Sequence, residues 1–427
     1  MHKDYKAIVY VYLQGGLDSY SLLMPHTCTG DLNNMYHQVR GNIAINNNMQ
    51  LQINDFTGSQ PCTTFGVHPE MTLLQQLYNN GEASFIANVG PLIEPIANSI
   101  EFDQGKPVPP SLFAHNIQTG ETQGVATGDA SAGGVLGRIG DAMNKQAGEE
   151  IFDAYSISGT PKALEGSPGL SRPADVLTPV GVSTFTFSAS GLETTMQELN
   201  KRVSNSIYGE TFSDAITTAI ARKNLLDGAI GTSALSSSTE ACFQGLSTLE
   251  TTIALQMKQV ARIINQRNSL QSKRDVFYVE LGSFDSHGDA YHNIALKLSD
   301  LNDALNCFVN DMKSQSLWNS VTVMSASEFG RTLTSNGMGT DHAWGGNHFL
   351  MGGAIKGRKI HGQYPDDLTD DGPLNIGRGR LIPTTPWEGV WKGVAEWFGV
   401  ESENMADVLP NLDKFQSNIF GKTDLYK

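Results

Sequence analysis

The segment KAIVYVYL at residues 6–13 constrains the fold of this chain more than any other feature. After its lysine it is an unbroken run of β-branched, aromatic and aliphatic residues, and Gly15-Gly16 ends it. Such a run is typical of a strand buried on both faces, as in parallel sheets covered by helices. We therefore predict a buried strand that ends in a tight glycine loop, with Asp18 in that loop.

Later segments continue the alternation of strand and helix. The segment MTLLQQLYNNG has apolar residues at helical spacing and precedes a predicted strand at 84–89, an order that implies a right-handed parallel crossover. Further strands are predicted at 275–281 and 321–325, with an apolar helical stripe between them. We predict an α/β fold with a doubly wound, mostly parallel sheet flanked by helices, which spans residues 1–427 as a single domain.

Residues 121–270 differ in character from the rest of the chain. They contain small-residue loops, a proline-rich stretch and long polar segments with helical periodicity. Helices are predicted at 191–206, 210–228 and 246–270. We interpret the region as a helical, loop-rich cap that is inserted between core strands.

The charge balance limits the partners of the protein. The chain has 29 basic and 44 acidic residues, a net charge of -15, with no basic run, which argues against nucleic acid and anionic membranes as partners. No stretch approaches the roughly 18 to 20 uninterrupted apolar residues of a membrane span. The opening residues do not resemble a signal peptide, because the apolar run continues into a glycine loop. An amide-rich composition with an even number of cysteines favours an exported protein.

The four cysteines are too far apart for a zinc knuckle and include no CxxC pair. Cys28 and Cys62 both lie in the early polar loops between the first strand and the helix predicted at 71–80. We predict that these two form a disulfide. Cys242 and Cys307 are then predicted to stay thiols, with Cys307 buried beside the apolar stripe of its helix.

Candidate functional residues follow the predicted strands, because ligands of open α/β sheets bind beyond the carboxyl ends of the strands. The residues in question are Asp18, Ser111, Asp285, His287, Glu328, Asp341 and His342. Carboxylates and imidazoles from separate loops suit a divalent metal ion, whose ligands must come from several directions. Such an ion would polarise an ester oxygen. We expect Asp18, Asp285, His287, Glu328 and His342 to meet in one site.

Each candidate also has a structural interpretation, and the sequence leaves both open. Asp18 would also suit an Asx turn or the N-cap position of a helix. Ser111 follows two prolines, where serine is a common N-cap. His287 would serve as an ordinary loop histidine, and Glu328 as an ion-pair partner of Arg331.

Three other histidines are weaker candidates. His115 and His292 each fall a turn or more inside a predicted helix, so we do not expect them to be ligands. His348 lies in a glycine-rich segment and suits a supporting position behind the ligands.

Several blocks of the sequence resemble a known family. YLQGGLDSYSLLMP, VHPEMTLLQQLYNNGEASFIANVG, FDSH and SASEFGRTLTSNGMGTDHAWGGNHFLMGG resemble, in order, the signature blocks of domain of unknown function 1501, over about residues 6–400. That family resembles the alkaline phosphatase and sulfatase superfamily, and its bacterial members are often exported by a twin-arginine signal. The resemblance implies an alkaline phosphatase-like fold and a periplasmic or extracellular location.

The superfamily pattern also implies roles for particular residues. A metal-binding aspartate after the first strand matches Asp18, and a nucleophile at a helix start, upstream of Thr119-Gly120, matches Ser111. A glutamate five positions before a metal-binding aspartate matches Glu280 and Asp285. A late histidine before a glycine-ended strand is similar to His342.

Two positions depart from this pattern. Asp289 stands where the phosphatases have a histidine, and Phe329 stands where they have another. The loss of an imidazole makes a complete two-zinc site doubtful. A single ion, or a harder ion such as magnesium or calcium, is easier to accommodate with the remaining oxygen ligands.

We therefore expect an exported metal-dependent hydrolase that acts on phosphate or sulfate esters, with a small anionic ester or a glycan as its substrate. Ser111 is the expected nucleophile and Arg331 an anion clamp. The ion would be zinc, magnesium or calcium, with ligands from Asp18, Glu280, Asp285, His287, Glu328, Asp341 and His342. The alternative is an extracellular binding or structural protein that keeps the fold without turnover, which the departures at Asp289 and Phe329 favour.

Overall fold

A computed structural model describes residues 5–167, 173–182, 192–200, 206–231, 234–246 and 252–427. The strands are β1 Lys6–Leu13, β2 Leu23–Cys28, β3 Leu51–Asn54, β4 Cys62–Val67, β5 Ala83–Gly90, β6 Phe152–Ser156, β7 Asp175–Thr178, β8 Gly181–Val182, β9 Arg274–Leu281, β10 Val321–Ala326, β11 Gly346–Met351, β12 Ile360–His361 and β13 Thr385–Pro386. The α-helices are α1 Leu32–Arg40, α2 Thr72–Asn79, α3 Ser99–Asp103, α4 His115–Gly124, α5 Val135–Ala147, α6 Leu192–Asn200, α7 Ile207–Ile230, α8 Ser237–Gln244, α9 Thr252–Asn265, α10 Ala290–Ser314, α11 Trp387–Phe398, α12 Met405–Val408 and α13 Lys422–Leu425.

Among the described residues, ten strands form the main sheet. Their order is β12-β5-β11-β10-β1-β9-β6-β7-β8, and β13 pairs with β5. β1 lies between β10 and β9 and is parallel to both. β11 is antiparallel to its neighbours β10 and β5, and β8 is antiparallel to β7, whereas the other pairs are parallel. The expected α/β fold with a mostly parallel sheet flanked by helices is confirmed.

The central strand β1 is buried on both faces. Its side chains alternate between two apolar cores, with Ala7, Val9, Val11 and Leu13 in one and Ile8, Tyr10 and Tyr12 in the other. Helices α2, α9 and α10 cover the first face, and α5 and α11 cover the second. Because neither face meets water, the strand is apolar at every position after Lys6 rather than at alternate positions.

Residues 121–270 contribute strands as well as helices. β6 pairs in parallel with β9, and β7 and β8 extend the sheet beyond it. Arg222 of α7 donates to Asp153 and Asp175, each at 2.8 Å, and so ties this helix to the edge of the sheet. The single-domain organisation and the role of this region as a cap stay predictions.

The three helices predicted in this region correspond to α6, α7 and α9. The second begins three residues earlier than predicted. Residues 191 and 201–205, at the predicted ends of the first helix, and 247–251, near the start of the third, lie outside the described residues.

A separate three-stranded sheet, β2-β4-β3, packs beside the main one, and the Cys28–Cys62 disulfide joins two of its strands as predicted. The prediction that Cys242 and Cys307 are thiols is wrong, because they form a second disulfide. α8 packs against α10, which brings together two cysteines 65 residues apart. Sequence separation gives no sign of this contact.

The longest helices, α7 and α10, have 24 and 25 residues. Both carry charged residues along their length. Within the described residues, no helix combines the length and the apolar character that crossing a membrane would need.

The loop after β1 is built around two glycines with left-handed backbone, Gly15 (φ 114°) and Gly16 (φ 81°). A Cβ on Gly15 would lie 2.5 Å from the backbone nitrogen of Asp285, and one on Gly16 would lie 2.5 Å from the ring of Phe329. The glycines therefore allow the loops that follow β9 and β10 to pack directly against the end of the central strand.

We predict that Gly15→Ala lowers the free energy of unfolding by at least about 2 kcal/mol, because the added methyl group meets backbone atoms and the φ angle is unfavourable for alanine. Chemical denaturation would measure it. Gly105→Ala is the matched control, since Gly105 also has a positive φ, 87°, but an added methyl group there would have no atom within 4 Å. Equal losses in the two variants would show that backbone strain alone, and not the packing of the loops, accounts for the effect.

One carboxylate is buried away from the candidate residues. Glu388 lies in the first turn of α11 and is fully buried, and neither of its oxygens has a hydrogen-bond partner among the described residues. Burial raises the pKa of Glu388 to about 7. The folded protein therefore favours the neutral form of this side chain.

A raised carboxyl pKa in the folded state stabilises the protein below the unfolded pKa, near 4.5, and this contribution is lost as the pH rises through about 7. Glu388→Gln cannot ionise. We therefore predict that the melting temperature of Glu388→Gln, relative to that of the parent protein, increases as the pH rises from 4.5 to 8. Thermal unfolding of both proteins across this pH range would measure the difference. Glu401→Gln, at an exposed position, is the control. A constant difference between Glu388→Gln and the parent would contradict the prediction.

Candidate metal centre

A cluster of polar side chains lies at the carboxyl end of the central strands, supplied by four segments. The residues are His115 at the start of α4, Asp285 and His287 after β9, Glu328 and Arg331 after β10, and Asp341 and His342 before β11. Two isolated bridges hold these segments in register, Leu17 with Gly330 and Arg331 with His342. The sheet thus gathers residues that are up to 227 positions apart in the chain.

The imidazoles of the cluster point the same ring nitrogen towards a common point. Nε2 of His342 lies 3.1 Å from Nε2 of His115 and 3.1 Å from Nε2 of His287. Oδ1 of Asp285 lies 3.0 Å from Nε2 of His287, 3.3 Å from that of His342 and 3.6 Å from that of His115. The ligand atoms of His115, His342 and Asp285 therefore form one group of potential metal ligands, and Nε2 of His287 lies next to two of them.

The other nitrogen of each ring contacts a group that accepts a hydrogen bond. Nδ1 of His115 donates to Glu328 at 2.8 Å, Nδ1 of His287 donates to Asp341 at 3.2 Å, and Nδ1 of His342 donates to the carbonyl oxygen of Phe113 at 2.8 Å. Since an ionised carboxylate or a carbonyl only accepts, the proton of each neutral ring is assigned to Nδ1. Each Nε2 then carries a lone pair.

Lone pairs that face one another at 3.1 Å repel, so a proton or a cation is needed between them. Ligand atoms about 2.0 to 2.2 Å from one ion lie roughly 2.8 to 3.6 Å apart, and the contacts above fall within this range. Ligand atoms of His115, Asp285 and His342 all lie within 4.8 Å of one another, and His287 adjoins the last two. The donor set therefore fits a divalent metal ion.

Exposure varies across the cluster. Glu328 and Arg331 are fully buried, His115 and His342 are half-buried, and Asp285 and His287 are exposed. The side formed by the last two residues therefore faces solvent and is where a ligand would enter.

Asp285 is held by the buried guanidinium of Arg331, whose Nη1 donates to Oδ1 at 2.7 Å. Burial by itself would raise the pKa of Asp285, but the hydrogen bond and charge of Arg331 outweigh it, and the pKa is lowered. Asp285 therefore stays ionised, as a metal ligand must. The remaining donors of Arg331 contact Gly15 and Thr340 within the protein.

The two inner imidazoles differ in electrostatics. The hydrogen bond to Glu328 raises the pKa of His115, although burial opposes it. Burial lowers the pKa of His342, and its carbonyl partner only partly opposes this. Glu328 is itself fixed by the backbone N–H of Gly15, which donates to Oε1 at 2.8 Å. A carboxylate behind a histidine is the common outer partner of a metal-binding imidazole.

Asp341 contacts the outer side of the cluster. It accepts hydrogen bonds from His287 and from Nδ2 of Asn336, each at 3.2 Å, and forms an ion pair with Arg378. Burial would raise the pKa of Asp341, but these hydrogen bonds and the charge of Arg378 lower it. Asp341 thus orients His287 as Glu328 orients His115.

Phe329 packs against two of the imidazoles. Its ring centroid lies 4.8 Å from that of His115 and 4.9 Å from that of His342, and the side chain is almost fully buried. At this position, where the resemblance implies an imidazole, the chain places an apolar wall that fixes the neighbouring rings.

The structure does not bring Asp18 into contact with these imidazoles. Its carboxylate is buried and forms an ion pair with the fully buried Arg40, and it also accepts from Ser21 at 3.0 Å. Burial would lower the pKa of Arg40, but Asp18 raises it above its usual value. The charge of Asp18 is therefore balanced by a guanidinium.

Three further residues lie apart from the cluster. Glu280 is inside β9 and accepts from the hydroxyl of Tyr278 at 2.7 Å. His348 is buried against Ser325, and burial lowers its pKa to about 3. His292 is exposed on α10.

Ser111 is exposed and lies in a turn with φ 47°. The predicted position at a helix N-terminus is wrong, because α4 begins four residues later, at His115. Ser111 is two residues before Phe113, whose carbonyl oxygen accepts a hydrogen bond from His342.

This later start of α4 also explains why the sequence interpretation missed His115. A helix from residue 111 would carry His115 a turn inside, whereas the true first turn places it beside Glu328. Leu112 and Phe113, which precede the helix, pack in an apolar cluster. A histidine among apolar residues gives no distinctive signal for this role in the sequence.

Comparison with solved structures finds distant likenesses. A lipoteichoic acid synthase from Listeria monocytogenes is 10% identical, with 96% of this chain and 90% of the synthase covered and a TM-score of 0.34. A sulfatase from Pseudoalteromonas sp. is 8% identical, with 93% and 68% covered and a TM-score of 0.36. A phosphonate monoester hydrolase of Agrobacterium radiobacter is 8% identical, with 92% and 74% covered and a TM-score of 0.35. TM-scores this low carry no argument about activity.

No curated protein matches the chain. A family model does match, over residues 5–372, which include every residue of the cluster. The chain therefore belongs to the family described as "Protein of unknown function (DUF1501)".

Proposed function

We propose that the protein is an exported metal-dependent hydrolase of phosphate or sulfate esters. The observation that carries the proposal is the convergence of three Nε2 atoms on Asp285, with each Nδ1 bound to an acceptor. Facing nitrogen lone pairs at this spacing need a proton or a cation between them, and we propose a metal cation. An ion held there would supply a Lewis acid for an ester oxygen and lower the pKa of bound water.

The donor set favours zinc over magnesium or calcium. Three imidazoles and one carboxylate are the nitrogen and oxygen ligands that zinc accepts, whereas magnesium and calcium prefer oxygen. His115, His342 and Asp285 would hold the ion, and His287 would lie beside it. Glu328 and Asp341 would orient two of the imidazoles rather than bind the ion themselves.

The charges around the centre favour an anionic substrate. The carboxylates of Asp285, Glu328 and Asp341 are matched by the guanidiniums of Arg331, Arg378 and Arg380. A divalent ion would leave this region with an excess of two positive charges, although the whole chain has a net charge of -15. Such a region attracts a phosphate or sulfate group.

Ser111 remains the proposed nucleophile. Its exposed side chain and its place two residues before Phe113 support this role. The helix N-terminus expected to assist it begins at His115 instead. Arg331 is assigned to holding Asp285, because its donors are already engaged within the protein. If Ser111 is not required, a water molecule is the alternative nucleophile.

Two disulfides support a location outside the cytoplasm, since such bonds persist in oxidising compartments. A small anionic ester or a glycan that carries one is the proposed substrate. Residues 121–270 are proposed to shape the approach to the site as a cap.

We predict that protein purified without chelators binds one equivalent of a divalent ion, with zinc favoured. His342→Ala should weaken binding at least about tenfold, because it removes the ligand atom that contacts both other imidazoles. Elemental analysis and a competing chromophoric chelator would measure this. His292→Ala, at an exposed histidine on α10, is the control. Unchanged metal content in His342→Ala would refute the centre.

We predict that the metal-loaded protein hydrolyses at least one compound of a panel of aryl phosphates, aryl sulfates, phosphodiesters and phosphonate monoesters, and that a chelator abolishes the activity. Ser111→Ala should lower kcat by at least about a hundredfold without changing metal content, since an alternative nucleophile is less well placed. Full activity in Ser111→Ala would assign the attack to water. Metal binding without hydrolysis of any ester would support the alternative, a binding or structural protein.

A further inference from the structure

A short loop beside the centre has an unusual backbone. Gly377, Arg378 and Gly379 have successive positive φ angles of 96°, 59° and 70°. Oδ1 of Asn375 accepts hydrogen bonds from the N–H groups of Gly377 at 2.8 Å and Gly379 at 3.2 Å. A side chain on Gly379 would meet the backbone nitrogen of Thr334 at 2.5 Å. The loop is therefore held in one conformation, and this conformation fixes the backbone from which Arg378 and the following Arg380 extend.

Arg380 follows this loop and reaches the metal centre. Its Nε donates to the carbonyl oxygen of His342 at 3.1 Å, and its guanidinium lies 4.9 Å from the ring centroid of Phe113. His342 is the imidazole that contacts the other two, and the carbonyl oxygen of Phe113 orients its ring. In the part of the chain that the structure describes, the terminal amino groups of Arg380 have no hydrogen-bond partner.

The other two arginines of the region are engaged. Arg331 is fully buried and donates to Asp285, Gly15 and Thr340. Arg378 forms an ion pair with Asp341. A half-buried guanidinium that is stacked on an aromatic ring and tethered through Nε presents its two amino groups as a fixed fork, which suits the paired oxygens of a phosphate or sulfate.

We propose that Arg380, supported by Phe113, is the anion-binding residue of this site and contacts the phosphate or sulfate group of the ligand. The inference rests on the proposed function, because it assumes that the ligand binds at the metal centre. It replaces Arg331 with Arg380 as the anion clamp. Because Arg380 donates to the carbonyl oxygen of His342, the residue that would bind the anion is hydrogen-bonded to the backbone of a residue that would bind the metal.

The experiment is isothermal titration of the zinc-loaded protein with inorganic phosphate and, separately, with inorganic sulfate. Arg380→Gln should weaken binding of the preferred anion by about tenfold to a hundredfold, since two charge-assisted hydrogen bonds are lost. The anion affinity of Arg380→Lys should lie between those of Arg380→Gln and the parent protein, because lysine keeps the positive charge but cannot form two parallel hydrogen bonds. Metal content is measured in each variant and should stay unchanged.

Arg358→Gln is the matched control. Arg358 also donates through Nε to a backbone carbonyl, that of Asn79 at 2.8 Å, and lies 5.9 Å from the ring centroid of Phe56. Its substitution should leave anion affinity unchanged. Equal anion affinity in Arg380→Gln and the parent protein, or no binding of either anion by the parent, would overturn the inference while leaving the metal centre standing. If the parent protein itself binds no divalent metal ion, the proposed function is refuted instead.

Discussion

The buried guanidinium of Arg331 is the interaction on which the arrangement of the centre depends. It joins the loops that follow β1, β9 and β10 to the segment before β11, through Gly15, Asp285 and Thr340. A planar group with five donors is able to satisfy several acceptors from different directions at once. Without it, a carboxylate and two carbonyl groups would lose their partner at the point where the loops meet. The convergence of imidazoles is possible because this hub fixes the loops that carry them.

Charge compensation explains the division of labour among the acidic residues. Asp18 is buried and is neutralised by Arg40, while Asp285 is exposed and adjoins three imidazoles. A buried carboxylate needs an ion-pair partner within the protein, and a guanidinium provides it permanently. An exposed carboxylate among lone pairs is suited to a cation that comes from solution. Two aspartates that look alike in the sequence therefore serve different purposes.

Phe329 forms an apolar wall beside the cluster of candidate ligands. The ring packs against His115 and His342 and is almost fully buried. Ligands are thus confined to one side of the site, where Asp285 and His287 face solvent. This geometry leaves the cluster open to solvent on that side.

The sequence by itself determined the central strand, the mostly parallel sheet, the edge at which polar residues collect, and the Cys28–Cys62 disulfide. These follow from local patterns, such as the continuous apolar run of β1 and the positions of residues after strands. Tertiary structure alone decided that His115 joins the cluster, that Arg40 neutralises Asp18, that Arg380 lies against His342, and that Cys242 pairs with Cys307. Each of these depends on where a helix begins or which distant segments pack together, and no local pattern contains that information.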